Sequence, residues 1–396
     1  MEKVLVLNGS FCELPIIEEC HRQGFYVITT GNMPELMAHK YADEFICADY
    51  SDYEAILQIV KENGVSHVLT NANDFGCITA AYVDEQMGWH HHDTYQNALM
   101  LHHKDLFKEY VQQKGYPTPF SHVFANLREA EDFVQSTTAY PVIVKANDLT
   151  GGKGIMKAMD KDEALAAIRN AFLRSRSKKI LVEPYITGHQ QTFVAFLYDR
   201  KVISSSSCDS YSWTNPYLIQ AETLPAKDIE QIQGQLVYII EEMASDLKLA
   251  DGIFAFQYIR NGADIKIIEM MRRPFGNQFL KLVEQNSGFP WHRAQVTAET
   301  GGDWSFLNDI PVSQQESYCG HFGVMADKNG TLKGWYVPQH IKQHITKEFV
   351  MKQLDDKIED YLNERVAYLH FQYDSYEEMV RSVPEYRNQI QIDIAS

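Results

Sequence analysis

The sequence predicts a multidomain protein of mixed α/β and α+β class, and three observations carry that expectation. Residues 1 to about 100 alternate apolar strand-like runs with helix-like ones. Residues 118–183 read strand, helix, strand, glycine loop, strand, helix, strand. After Gly302 the composition shifts to a hairpin-like stretch and charged helical segments. Alternation of the first kind implies a parallel sheet covered by helices. With 396 residues the chain can form about two or three units with substantial cores.

Bulk composition narrows the function. Hydrophobic residues make up 45% and charged residues 22%, as in ordinary soluble globular proteins. A net charge of −17 argues against nucleic acid or an anionic membrane as the main partner. The six cysteines (12, 20, 47, 77, 208 and 319) are scattered, with no C-x-x-C and no metal-ligand spacing, as expected of reduced thiols in a cytoplasmic protein. Met1 runs almost directly into the strand Val4–Leu7 and no apolar run approaches transmembrane length, so neither a signal peptide nor a membrane span is expected.

In the first hundred residues, VLVL (4–7) ends at Asn8-Gly9-Ser10, a helix runs to Gly24, and YVITT follows. Ser51-x-x-Glu54 reads as a capping box for a helix closed by Gly64, and VSHVLT (65–70) as another buried strand. A ligand would sit at the strand ends, near Asn8–Ser10 and Asn71–Asp74, although any one of these residues reads more simply as a polar turn. His90, His91 and His92, with His102 and His103, are dense enough to suggest zinc. No carboxylate or cysteine completes a tetrahedral set, and solvated loop histidines are the plainer reading. HHKDLFKEYVQQKGYPTP is a helix stopped by Gly115, Pro117 and Pro119. Lys104 stands in its first turn, where the helix dipole disfavours a cation but a phosphate would welcome both.

The stretch PVIVKANDLTGGKGIMK (141–157) carries the most chemistry. An apolar strand delivers Lys145 to a loop with Gly151, Gly152 and Gly154 around Lys153. Glycines let backbone N–H groups approach an anion, and lysines supply counter-charge. Asn147 and Gly154 break the Walker A pattern, and Lys157 takes the place of the third glycine of a dinucleotide fingerprint. A hairpin with a glycine-rich turn and two solvated lysines is an equally good reading of this stretch alone. The flanking helices carry their own caps, Asn126-x-x-Glu129 and Asp160-x-x-Glu163. This unit could move as a lid. KKILVEPYITG then runs a strand into Glu183 and turns at Gly188.

TFVAFLY and KVISSSS are joined at Asp199-Arg200, which places the serine run in a strand. A long amphipathic helix covers roughly 226–248. IFAFQYI and DIKIIEM flank Asn261-Gly262, a hairpin signal, with a loop expected to exceed two residues. Gln257 and Glu269 can face one another across it, and Met271 shares the face of Glu269. Arg272, Arg273, Pro274 and Gly276 follow, heading a helix. An acid and paired arginines here are costly to bury without a polyanion or metal, although salt bridging alone would also use them. Asn329-Gly330 reads as a second hairpin turn, and the last part of the chain has no nameable chemistry: completing a substrate pocket and forming a subunit contact are both open to it.

Taken together, from Met1 to about Gly302, these segments resemble the ATP-grasp superfamily in its biotin carboxylase and carbamoyl phosphate synthetase branch. The resemblance implies an N-terminal parallel α/β (pre-ATP-grasp) domain over 1–103, an ATP-grasp domain over 104–305 with a mobile lid at about 118–183, and a small C-terminal α+β domain over 306–396. Lys104 matches the helix-borne phosphate lysine, Lys145 the lid-strand lysine on the α- and β-phosphates, and 150–154, with Gly151, Gly152, Lys153 and Gly154, the mobile glycine loop. Glu183, Pro184, Tyr185 and Ile186 resemble the adenine hinge. The acidic ribose contact falls on Gln190, a departure, though an amide can still bond a hydroxyl. The family's Glu-x-Asn-Pro-Arg-Pro-x-Gly appears as EMMRRPFG (269–276): Glu269 and Arg273 match, and Met271 replaces the asparagine. The upstream metal ligand falls on Gln257. A thioether does not coordinate Mg²⁺, or Mn²⁺ in its place, so water or a side chain such as Asn277 would have to stand in.

The activity so implied is ATP-dependent joining of a small-molecule carboxylate to an amine or ammonia through an acyl phosphate. Arg273, with Arg272, would steady that intermediate, and Lys145 would serve both binding and catalysis. Related enzymes are often dimers, so a homodimer is compatible. Gln190 and Met271 favour a rival from another class, a nucleotide-binding regulatory or scaffold protein without turnover. A dehydrogenase on the first domain is disfavoured by the missing glycine fingerprint.

Overall fold

The computed structural model describes residues 1–70, 72–149, 151–310 and 317–395. The first region is a parallel sheet of β1 (Lys3–Leu7), β2 (Tyr26–Gly31), β3 (Glu44–Cys47) and β4 (His67–Leu69), ordered β3-β2-β1-β4. Its connecting helices are α1 (Leu14–Arg22), α2 (Tyr53–Asn63) and α3 (Asp74–Met87). Val4 to Leu7 are all buried because helices cover both faces of the sheet. The cap of α2 is Asp52, which accepts from the Ala55 N–H, and not Ser51, whose hydroxyl donates to Asp49 instead. An aspartate one residue closer to the helix reaches the free N–H groups first.

Helix α4 (Tyr95–His102) leads directly into α5 (Lys104–Gln113), so Lys104 is the first helical residue. The segment expected to be a lid follows: β5 (His122–Phe124), α6 (Leu127–Ser136), β6 (Val142–Ala146), β7 (Ile155–Ala158), α7 (Lys161–Arg174) and β8 (Ile180–Pro184). Its strands form an antiparallel sheet ordered β5-β8-β6-β7, with α6 and α7 packed on it. Asn126 and Asp160 cap the two helices through their side chains.

The remaining strands are β9 (His189–Tyr198), β10 (Lys201–Tyr211), β11 (Ala221–Leu224), β12 (Gly252–Asn261), β13 (Asp264–Met271), β14 (Tyr318–Val324), β15 (Gly330–Tyr336), β16 (Ile345–Val350), β17 (Lys357–Ile358), β18 (Ala367–Tyr373) and β19 (Gln391–Ala395). Eight of them form one sheet, β13-β12-β9-β10-β11-β14-β18-β16, and β17-β15-β19 form another. The β9–β10 turn holds Asp199 and Arg200 at φ 44° and 62°, the backbone of a tight hairpin turn. One face of the large sheet packs α8 (Gln233–Leu247) with α5, and the other packs α9 (Phe279–Ser287) and α10 (Trp291–Thr300). That double cover explains the unbroken apolar run from Phe193 to Leu197.

Three expectations are corrected. The β12–β13 loop is the two residues between Asn261 and Asp264, because pairing continues to the strand ends. Helix α8 starts at Gln233, after a single 3-10 turn at Ile229–Gln231. Asn329-Gly330 does not close a hairpin. Both edges of β14 are already taken by β11 and β18, so β15 joins β17 and β19 instead. No helix among the described residues is long and apolar enough to cross a membrane.

Candidate active site

Strand β6 carries Lys145 to a cleft between the lid sheet and the large sheet. Lys145 pairs with Ile155 in the β6–β7 ladder, so the glycine loop is also the turn of a hairpin. Gly152 and Gly154 sit at φ 75° and 68°. A Cβ on Gly152 would lie 2.7 Å from the Tyr217 carbonyl oxygen, so the loop needs glycine there for both backbone shape and space. The cleft has an empty volume of about 920 Å³, mouth included. Lys104, Lys145, Gly151, Gly152, Gln190, Gln257 and Glu269 line it, together with the run Glu183–Ile186. Lys153 is exposed beyond its wall, and Thr150 lies outside the described residues. Pro216 and Tyr217, from the loop after β10, close the opposite side. The Tyr217 hydroxyl accepts from the Lys157 N–H at 2.7 Å, and Lys157 Nζ lies 4.0 Å above the Tyr185 ring.

The floor is set by a bulge. Gln257 pairs with Glu269, but Tyr258 pairs with Ile267, so Ile268 is an extra residue on β13. Ile265 and Ile267 pack towards α8, and unbroken alternation would send Glu269 the same way. The extra residue reverses the parity and turns Glu269 into the cleft beside Gln257. Met271 shares that face but is buried against α9, away from the opening. Lys104 Nζ donates to the Leu149 carbonyl at 2.8 Å and lies 3.6 Å from Glu269 Oε1. It thus joins helix, glycine loop and sheet floor.

Behind Lys145 lies a buried charge cluster. Lys145 Nζ donates to Glu183 Oε2 at 2.7 Å, Lys108 Nζ lies 3.2 Å from Oε1, and the Ser121 hydroxyl also donates to Oε1. Burial pushes the Glu183 carboxyl up, but Lys108 and Lys145 outweigh it and hold it at about 2. Burial depresses Lys108 to about 8 despite Glu183. Sequence reasoning missed Lys108. Its signal was the spacing from Lys104, four residues on, which puts both on one helix face. Asn147 was missed as well: its side-chain oxygen accepts from the Asp105 N–H at 2.9 Å and ties the root of the glycine loop to α5.

The arginines behave differently from the sequence expectation. Arg272 donates from Nε and Nη2 to Asp93 and also binds the carbonyls of Ala250 and Ile253, so its donors are committed away from the cleft. Salt bridging therefore describes Arg272 better than contact with an acyl phosphate. Arg273 Nε donates to Asp74 at 2.5 Å, and His102 Nδ1 lies 3.2 Å from the same oxygen. Burial pushes the Asp74 carboxyl up, yet Arg273 and His102 hold it well below its usual range. Asp74 and His102 line a small recess shared with Lys104, Lys108, Lys145, Glu183 and Glu269. Asn277 is not free to supply a metal ligand either. Its oxygen accepts from the Phe279 N–H and its amide nitrogen lies 2.8 Å from His321 Nε2.

At the first sheet, Ser10 donates from N–H and hydroxyl to Glu13 in a capping box, and Asn73 caps α3, so these strand ends serve their own turns. Asn71 lies outside the described residues. The histidine run is held by local bonds: the N–H groups of His91 and His92 donate to Asp84, and His92 Nε2 donates to the Val68 carbonyl. Among the described residues no three His, Cys, Asp or Glu side chains group as metal ligands.

The lid, the lysine-bearing cleft and the antiparallel floor make up the ATP-grasp fold. Residues 102–214 match the family model of the phosphoribosylglycinamide synthetase ATP-grasp (A) domain. The phosphoribosylamine–glycine ligase of Listeria monocytogenes serovar 1/2a is 27% identical over 113 residues, 28% of this chain and 27% of that protein. The aligned part thus spans about a quarter of that relative's length. An L-amino acid ligase from Bacillus licheniformis superposes at TM-score 0.82 with 17% identity, covering 100% of this chain and 99% of that one. The biotin carboxylase domain of the Hydrogenobacter thermophilus 2-oxoglutarate carboxylase, solved as a dimer with MgADP, ADP and bicarbonate, superposes at 0.77 with 19% identity, covering 100% and 91%.

Proposed function

We propose that this chain is an ATP-dependent carboxylate–amine ligase, taking an amine or ammonia as acceptor and releasing ADP and phosphate. The supporting observation is the single cleft that Lys104, Lys145, Gln257 and Glu269 all line. ATP lies along it, with adenine against the hinge at Glu183–Ile186, ribose near Gln190 and phosphates towards the glycine loop. The Tyr185 N–H is taken by the Pro141 carbonyl, so the adenine edge falls to its neighbours in the hinge.

In the first step a carboxylate oxygen bonds to the γ-phosphorus, and the bridging bond to ADP breaks. In the second, the amine nitrogen bonds to the acyl carbon, loses a proton, and phosphate leaves. Lys104 and Lys145 neutralise charge on the transferring phosphoryl group. Arg273 is the arginine left to face the acyl phosphate, and reaching it means releasing Asp74. Glu269 and Gln257 offer hard oxygen donors, which suit Mg²⁺ or Mn²⁺ completed by substrate phosphates. Such an ion supplies further charge neutralisation at the phosphates. The lid at 118–183 closes over the cleft and keeps water from the intermediate. Regions 1–103 and 104–305, with 306–396 completing the large sheet, make up a cytoplasmic enzyme with which a homodimer is compatible.

Gln190 and Met271 support a second reading, nucleotide binding without turnover. ADP release is to be measured against a panel of amino acids and other carboxylates, with and without amine. Release that depends on both substrates establishes the ligase. Tight ATP binding with no release under any pairing establishes the second reading.

A further inference from the structure

Glu183 is shared by two lysines that are held very differently. Lys108 is 2% exposed, and besides Glu183 it binds the Thr118 hydroxyl at 2.8 Å and the Ile267 carbonyl at 3.3 Å. These partners, Glu183 on β8, Thr118 in the loop before β5 and Ile267 on β13, hold it in the recess behind the cleft and off the cleft wall. Lys145 reaches the cleft wall, and its hydrogen bond goes to the other oxygen of Glu183. A bound phosphate would therefore compete with Glu183 for Lys145. If Glu183 had no other partner, each such exchange would strand a buried carboxylate, which is strongly unfavourable.

We infer that Lys108 is a positioning residue: it is the permanent counter-charge of Glu183 that lets Lys145 exchange the carboxylate for a nucleotide phosphate. This rests on the proposed nucleotide site. Ser121 supports the same oxygen as Lys108, so Oε1 stays bonded when Oε2 is released. The Thr118 and Ile267 contacts keep Lys108 from following Lys145, and Ile267 stands next to the bulge that orients Glu269. One carboxylate, one fixed cation and one movable cation thus form a relay in which release of Lys145 leaves a neutral pair, Glu183 with Lys108, in the protein core.

The test is calorimetric titration of the full chain with MgADP, with adenosine as the probe that lacks phosphates. Lys108→Met leaves Lys145 as the one cation on Glu183, so ADP affinity is expected to fall about tenfold or more while adenosine affinity holds. In Lys108→Met with Glu183→Gln the neutral amide no longer retains Lys145, and ADP affinity, taken relative to adenosine affinity so that the hinge position of Glu183 cancels, is expected to recover towards wild type. A double variant as weak as the single one, or a single variant that binds ADP like wild type, overturns the inference. Should Lys108→Met fail to fold, Lys108→Gln takes its place: it keeps a hydrogen-bond donor but removes the charge, and unchanged ADP affinity overturns the inference. A wild-type chain that binds neither probe overturns the nucleotide site itself, and this inference with it.

Discussion

Lys145 and Glu269 face the cleft from opposite sides, one from β6 and one from the sheet floor. Removing a preorganised charge contact of this kind costs on the order of 10²-fold in turnover. Lys145→Ala and Glu269→Ala are each expected to lower ADP formation by about that factor, and wild-type-like ADP formation in either variant would falsify the site. Arg272 belongs to a different class of residue. It and Asp93 are both nearly buried, at 6% and 7% exposure, and truncating one strands the other. Arg272→Ala is expected to lose about 3–5 kcal/mol of stability, read from the urea midpoint. Glu183 makes stability sensitive to acid. Its folded value of about 2 lies below the ordinary 4.5, so its contribution is complete above the higher value. That contribution is lost as pH falls towards the lower one. The stability gap between wild type and Glu183→Gln should therefore narrow on acidification between these values, and a gap that widens would count against the ion cluster.

At the scale of elements, the glycine loop and the β13 bulge shape the site. Gly152 has a left-handed backbone and faces the Tyr217 carbonyl at a distance no Cβ tolerates. Gly152→Ala must move the loop off Tyr217, at a strain of about 1–3 kcal/mol. Because the loop is a turn beside the cleft and not part of a core, the expected outcome is a raised KM for ATP with little change in Tm. A variant with wild-type KM would show that the loop does not meet the phosphates. The bulge acts through parity: one extra residue decides whether the following acid faces α8 or the cleft. Neither element contributes much apolar burial. Each works by aiming a group that other elements hold.

For the whole molecule, the large sheet runs without a break from β13 at the cleft to β16 near the end of the chain. Strand β11 pairs with β14 across Ala221–Leu224, and the core around Phe322, Leu369 and Phe371 reaches back to Ala221. Deleting residues after 305 exposes the β11 edge and part of that core. The truncated chain is expected to aggregate, seen as loss of the monodisperse peak on gel filtration. A well-behaved truncated protein would instead show that 1–305 folds without the rest of the chain. The first region is tied in similarly: the Thr70 N–H and hydroxyl donate to Glu299 on α10, and Val296 packs among Val4, Val6 and Ile16. The large-sheet lobe of the cleft is thus anchored by both ends of the chain.

Much of this was legible in the chain alone because it is local. Apolar runs, capping side chains and glycines at sharp turns are dictated by neighbours in sequence, so the parallel first sheet, the lid order and the lysine-bearing strand could be read directly. Gln257 and Glu269 do face one another, but around the two-residue loop a regular hairpin would set Gln257 opposite Ile268, and only the bulge brings Glu269 there. Asn329-Gly330 misled because a turn signal does not say whether a free sheet edge awaits the next strand. Charge partners were also out of reach: Asp93 with Arg272, Asp74 with Arg273, and Lys108 with Glu183 lie 179, 199 and 75 positions apart. Local chemistry determined which groups this protein carries. Only the folded chain decided which of them are spent on one another and which stand open to a ligand, because a charge's partner is set by distance in space.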